Sequence, residues 1–306
     1  MTDEQSPPSA SNAADSAATP VPPEPPPYPT IRQVIPLLVL LVLVQGLIGV
    51  VVGQVTSLAD FELDPVLLIG VANLLSFGLV LWLAVRAARR PAREIFPFAV
   101  VPGDFWLAVL FTAVGWSILG SELVNVVSLV LPPPEWVVEL FSRLQSAGLA
   151  SFLLLVVIAP VTEEFLFRGA ILQGFLRRYS ARKAILVSAV FFGALHMNPW
   201  QFGPAVVLGI IYGWWCLRTN SLAPALVGHA LNNAVGLIAG DLLGLEIPGF
   251  TDDVAGVSLQ PLWLDILGLT MFAAGILLAT RSFARHTLLG TRSGVPLEQR
   301  RDFPGQ

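Results

Sequence analysis

Long apolar runs separated by short polar breaks dominate this chain, and they set its class before any single residue is considered. A helix needs about 20 apolar residues to cross a bilayer. Apolar runs fall at about 34–55, 66–85, 105–131, 149–176, 184–198, 203–217, 221–239 and 261–280. The fourth is apolar only as far as Val161, and the fifth, sixth and seventh are short and interrupted by polar residues. The pattern predicts an all-α, polytopic membrane protein of about eight transmembrane helices. Residues 1–30 are rich in Pro, Ala and Ser, carry no apolar run and read as a disordered tail. They lack the basic segment followed by an apolar one that marks a signal peptide, so the first apolar run is expected to stay in the membrane. The chain thus divides into a tail (1–30), a membrane domain (31–285) and a basic cytoplasmic tail (286–306).

The charged residues orient these spans. Basic residues follow the even-numbered runs: Arg86, Arg89, Arg90 and Arg93; then Arg177, Arg178, Arg182 and Lys183; then Arg218; then Arg281, Arg285, Arg292, Arg300 and Arg301. Arg32 precedes the first run. The alternate loops are acidic, with Asp60, Glu62 and Asp64, then Glu135 and Glu139, then Asp241, Glu246, Asp252 and Asp253. Arg143 is the one basic residue on the acidic side. By the positive-inside rule, an even number of spans with both termini in the cytoplasm satisfies this distribution.

Composition agrees. The 306 residues are 55% hydrophobic and 12% charged, against roughly 25% charged in soluble domains. The single cysteine, Cys216, excludes an intrachain disulfide and a multi-cysteine metal site. It reads as a small buried apolar residue. Gly209 and Gly213 form a small-xxx-small pair suited to close helix packing. The bilayer is the partner this pattern implies, and no nucleic-acid partner is expected.

Three places put ionisable or strongly polar side chains inside the spans: "TEEFLFR" with Glu163, Glu164 and Arg168; "FFGALH" with His196; and "GHALNN" with His229, Asn232 and Asn233. A charge at the bilayer centre costs about 2.5–3.5 kcal/mol on insertion scales, which makes each one a functional-site hypothesis. At 1.5 Å per residue, His229 lies about 12 Å and His196 about 18 Å from the cytoplasmic starts of their spans. Glu163 lies midway along its own span, so the three share a depth. Glu164 and Arg168 are i and i+4 with the acid first, the favourable order for an ion pair. Glu163, about 100° around the helix, is expected to face a different surface without a cation. A buried carboxylate of that kind suits a general base. His229 and Asn233 share a face at i and i+4, and Phe192 at the same spacing from His196 can wall the pocket. Structural readings stand beside these: Glu164 with Arg168 as a helix-locking pair, the asparagines as interhelical hydrogen bonders, His196 as an interfacial residue. His286, in the basic tail, is expected to be solvated.

The three motifs, EExxxR, FxxxH and HxxxN in that order on consecutive apolar segments, resemble those of the CPBP family of intramembrane proteases. That family includes the CAAX prenyl endopeptidases and bacterial Abi-type proteins. The resemblance covers roughly residues 105–240. It implies an eight-helix membrane fold and an endopeptidase acting on a membrane-associated peptide or protein, near the cytoplasmic face of a membrane. Glu163 would be the catalytic glutamate, supported by Glu164 and Arg168, with His196, His229 and Asn233 completing the site. Two accounts of that site stay open. In one, Glu163, His196 and His229 hold Zn²⁺ with a position left for water. In the other, slightly preferred because asparagine is a poor zinc ligand, no metal is used. Glu163 and His196 then activate the water, and His229 and Asn233 donate to the oxyanion. No HExxH occurs. A prenylated substrate is disfavoured by the bacterial look of the composition. Two rival classes use the same buried cluster differently: an ion-coupled transporter, which predicts repeats the chain does not show, and a non-catalytic immunity or scaffold protein.

Overall fold

The computed structural model describes residues 25–58, 64–146, 148–251 and 258–292. Its elements are helices: α1 (Ile31–Leu58), α2 (Pro65–Ala88), α3 (Phe105–Val130), α4 (Glu135–Ser146), α5 (Leu149–Leu176), α6 (Ala181–Leu195), α7 (Pro199–Thr219), α8 (Ala223–Leu237) and α9 (Leu262–Arg292). A single helical turn, Ala92–Ile95, lies between α2 and α3. No strand occurs among the described residues, apart from one isolated bridge between Phe98 and Ser221. Local chemistry starts and stops these helices. Asp64 caps α2, its Oδ1 accepting from the Val66 N–H at 2.7 Å ahead of a first-turn proline. Arg89 and Asn220 end α2 and α7 in the left-handed conformation.

Among the described residues six helices are long and apolar enough to cross a membrane: α1, α2, α3, α5, α7 and the Leu262–His286 part of α9. The protein is therefore a multi-pass, all-α membrane protein. The fifth and seventh apolar runs form helices of 15 residues, α6 and α8. α6 is thus about 22 Å long, short of a hydrocarbon core of about 30 Å. The cause is local. Asn198 caps the next helix by accepting from the Gln201 N–H, and Pro199 begins it, so α6 stops at Leu195. Ile238–Leu242 continues α8 as a π-helical turn. The acidic connection between the third and fourth runs, expected as a loop, contains the amphipathic helix α4, which exposes Trp136.

Packing explains where the helices touch. On α3, a Cβ added at Gly115 would collide with Phe272 N and lie 2.7 Å from Gly268 O, so α9 crosses α3 in backbone contact. The Gly209 and Gly213 pair packs α7 on α6: a Cβ at Gly209 would lie 2.7 Å from Ala189 Cα, and one at Gly213 would lie 3.2 Å from Ile185. The core between α3, α5, α6 and α7 is aromatic, with Phe105, Phe167, Phe175, Phe192, Tyr212 and Trp215 all buried.

Two expectations about the ends need correction. Residues 1–24 lie outside the described residues, but the last of the expected tail is packed. Pro29 is buried, and a Cβ at Gly174 would lie 2.6 Å from Tyr28 O. His286 is half-exposed rather than simply solvated, because α9 stays helical to Arg292. It holds His286 Nε2 3.3 Å from Asp104 Oδ1, which also accepts from Ser282 at 3.0 Å. Arg285 pairs with the other Asp104 oxygen at 3.0 Å. Burial pushes the Asp104 carboxyl up, but the hydrogen bonds from Ser282 and His286 and the charge of Arg285 outweigh it and hold it below the usual carboxylate range.

Candidate active site

In α5 the two glutamates of the EExxxR motif sit between two π-helical turns, Leu153–Ile158 and Phe165–Ile171, and Arg168 lies in the second. Turns of this kind mark functional sites often enough to draw notice, and the first has a visible cause. In its register the Ala159 N–H donates to Leu154 O. The matching donor for Leu155 O would be residue 160, a proline, which has no N–H. Asn233 Nδ2 donates to Leu155 O instead, at 2.8 Å. One proline thus leaves a carbonyl that pins α8 to α5.

Glu164 lies at the centre of the polar cluster and is fully buried. Its Oε1 accepts from Arg168 Nη1 at 3.0 Å, the i,i+4 pair that the spacing predicts, and also from His229 Nδ1 at 2.8 Å. The Arg168 guanidinium lies over the rings of Phe192 (4.3 Å) and Tyr212 (5.3 Å), and its Nη2 reaches Leu208 O at 3.5 Å. Arginine's planar, weakly hydrated charge is suited to such an aromatic seat.

Glu163 does not face a separate surface, as the 100° offset predicts. Its Oε2 lies 4.0 Å from His229 Nε2, so the imidazole stands between the two adjacent carboxylates, one at each ring nitrogen. A ring inserted between two side-chain directions can be reached from both, and helical spacing within α5 carries no information about it. Glu163 retains 14% side-chain exposure, and its Oε2 has no hydrogen-bond partner. His196 ends α6, and its Nδ1 donates to Phe192 O at 3.1 Å, which leaves Nε2 as the ring's other polar atom. The Phe192 ring stands edge-on to both imidazoles, with centroids 5.3 Å from His196 and 5.9 Å from His229.

Asn233 is engaged differently from the oxyanion reading. Its amide nitrogen bonds Leu155 O and its Oδ1 accepts from Asn232 at 3.2 Å. Among the described residues no three His, Cys, Asp or Glu side chains converge to hold a metal ion. Glu163, His196 and His229 do not form such a group in this arrangement. Cys216 is buried, as its apolar reading predicts. Tyr212, absent from the motif reading, is fully buried beside His229 with ring centroids 5.9 Å apart, and its hydroxyl has no partner among the described residues. A phenol inside an apolar run was the signal available for it.

The model of one family, type II CAAX prenyl endopeptidase Rce1-like, matches residues 145–235. That stretch holds all three polar motifs and is narrower than the 105–240 of the resemblance. Protein YyaK of Bacillus subtilis (strain 168), described as uncharacterized, is 28% identical over 166 residues, 50% of this chain and 54% of that protein. The alignment thus spans about half of the relative's length. No solved structure matches. Residues 145–235 thus match an Rce1-like family model, in agreement with the CPBP resemblance.

Proposed function

We propose, on the Rce1-like match at residues 145–235 and the cluster it contains, that this protein is an intramembrane endopeptidase. It hydrolyses a peptide bond in a membrane-associated peptide or protein by glutamate-activated water. The observation that carries the reading is the division between the two glutamates. Glu164, fully buried, is ion-paired through Oε1 with both Arg168 and His229, although its Oε2 has no hydrogen-bond partner; Glu163 is partly exposed, comes no nearer to His229 than 4.0 Å and has an Oε2 likewise without a partner. A structural ion pair accounts for Glu164 and leaves Glu163 unexplained.

The 4.0 Å between Glu163 Oε2 and His229 Nε2 is too long for a direct hydrogen bond and suits a shared water. In the proposed step Glu163 accepts a proton from that water as its oxygen attacks the scissile carbonyl. The C–N bond then breaks as the proton passes to the leaving amine. His196, its Nδ1 held by Phe192 O, presents Nε2 as the second group that orients the water. Glu164 holds the His229 ring at Nδ1, and in this scheme His229 Nε2 serves as a donor to the developing oxyanion. Asn233 sets the position of His229 through the Leu155 carbonyl and is a positioning residue in this scheme.

The test is proteolysis by Glu163→Gln protein against a substrate identified by comparing membrane proteomes of a deletion strain and a Glu163→Gln strain. General-base loss is expected to slow turnover about 10²–10⁴-fold, with the melting temperature unchanged. Undiminished turnover by a folded Glu163→Gln protein refutes the assignment.

A further inference from the structure

At the basic end of the bundle, away from Glu163, the ends of α2, α5 and α7 and the segment before α1 enclose a cavity of about 630 Å³. Cavities that hold small ligands run about 300–1,000 Å³. Arg90, Arg93, Arg177 and Arg218 line it, with Glu94 as the one carboxylate among the lining residues. Glu94 is engaged by Arg90 at 3.1 Å. Between the arginines the wall is apolar, formed by residues such as Ala84, Ala170 and Leu176.

Arginines at helix ends have a plain explanation, since the C-terminal dipoles of α2, α5 and α7 converge here. Each dipole end amounts to roughly half a charge and is screened within a turn, which does not by itself account for Arg93 and Arg218 lining one cavity beside the Arg90–Glu94 pair. The depth matters as well. Three membrane-crossing helices end at this cavity, which sets it at the level of lipid headgroups rather than in bulk solvent. Basic pockets between transmembrane helices at that level recognise anionic headgroups. A guanidinium also matches the paired oxygens of a phosphate.

We propose that this cavity binds the phosphate of an anionic phospholipid, with Arg93 and Arg218 supplying charge and the apolar wall meeting the glycerol and the first acyl carbons. Tyr28 lines the same cavity, brought close because Gly174 has no side chain. A bound lipid therefore touches the segment before α1 as well as three helices, and ties them together.

The test uses the full chain, delipidated in a neutral detergent, and reads thermal stability and lipid adducts by native mass spectrometry. The probes are dioctanoyl phosphatidylglycerol, dioctanoyl phosphatidylcholine and inorganic phosphate. Phosphatidylglycerol is expected to raise the melting temperature saturably, and the other two to have no such effect at equal concentration. Arg93→Gln with Arg218→Gln is expected to weaken phosphatidylglycerol binding at least tenfold. Arg281→Gln removes the same charge from an exposed position at the same end, outside the cavity, and should change binding less than twofold. Because Arg93 is exposed, its single variant folds and gives the same answer if the pair does not. Equal binding of the two lipids, or an equal loss in Arg281→Gln, overturns the proposal. Protection by inorganic phosphate equal to that by phosphatidylglycerol overturns the lipid assignment. None of these readouts depends on proteolysis, so the proposed activity can fail without touching them.

Discussion

Replacing Glu164 alone should cost more than replacing both members of the buried Glu164–Arg168 pair. The charges lie 3.0 Å apart with side-chain exposures of 1% and 0%. At an effective dielectric constant of about 20, unit charges at that separation attract by about 5–6 kcal/mol. Stranding one partner of a buried pair costs about 3–5 kcal/mol. The two single changes should differ, because Arg168→Met leaves Glu164 with His229 as a remaining partner at 2.8 Å. Its cost should lie near the low end, about 3 kcal/mol. Glu164→Leu leaves Arg168 with only the long contact to Leu208 O and two ring faces, so its cost should approach about 5 kcal/mol. The double change removes both charges and should cost less than the Glu164→Leu single. Tryptophan fluorescence on heating reports this readily in a chain with 8 tryptophans. At about 2 °C per kcal/mol, the single changes should lower the melting temperature by about 6 and about 10 °C, and the double by less than the larger single. Additive shifts, or single shifts under about 2 °C, would refute the claim that this pair is desolvated and coupled.

Asn233→Ala should cost about 1–3 kcal/mol by leaving Leu155 O without a donor; in a Pro160→Ala background, which restores an N–H, the cost should fall below about 1 kcal/mol, and a double-mutant cycle measures the difference. The Asp104 cluster predicts acid sensitivity at the end of α9. Its folded carboxyl lies below the usual range, so its contribution is complete above the ordinary carboxylate pKa and is lost as pH falls through the lower folded value. Hydrogen exchange around Ser282–His286 should therefore quicken at low pH, and Asp104→Asn should be fast at every pH; a variant protected as well as the parent at neutral pH would contradict this. Gly115→Ala should destabilise by about 1–3 kcal/mol through collision with α9, whereas Gly78→Ala, with open space around it, should be neutral or stabilising by heat denaturation.

Much of the site's local chemistry was legible without coordinates. The Glu164–Arg168 pair follows from i,i+4 spacing, a property of one helix, and it forms even though Arg168 lies in a π-helical turn. The small-residue face of α7 and the buried state of Cys216 followed equally from local pattern. The span count was less legible, because apolar content alone does not show where Asn198 and Pro199 interrupt one helix and start another.

By itself the sequence determined that this chain lives in a membrane, where its helices run, which charges pair along one helix, and which polar residues sit at a common depth. These depend on composition and on periodicities of a few residues. Only the tertiary structure decided that His229 stands between Glu163 and Glu164, that Asn233 turns to the Leu155 carbonyl, and that Tyr212 and Phe192 seat Arg168. Each of those facts joins residues from different helices. Their contacts depend on how far each helix is rotated about its axis and how closely the backbones approach, and packing between distant parts of the chain sets both.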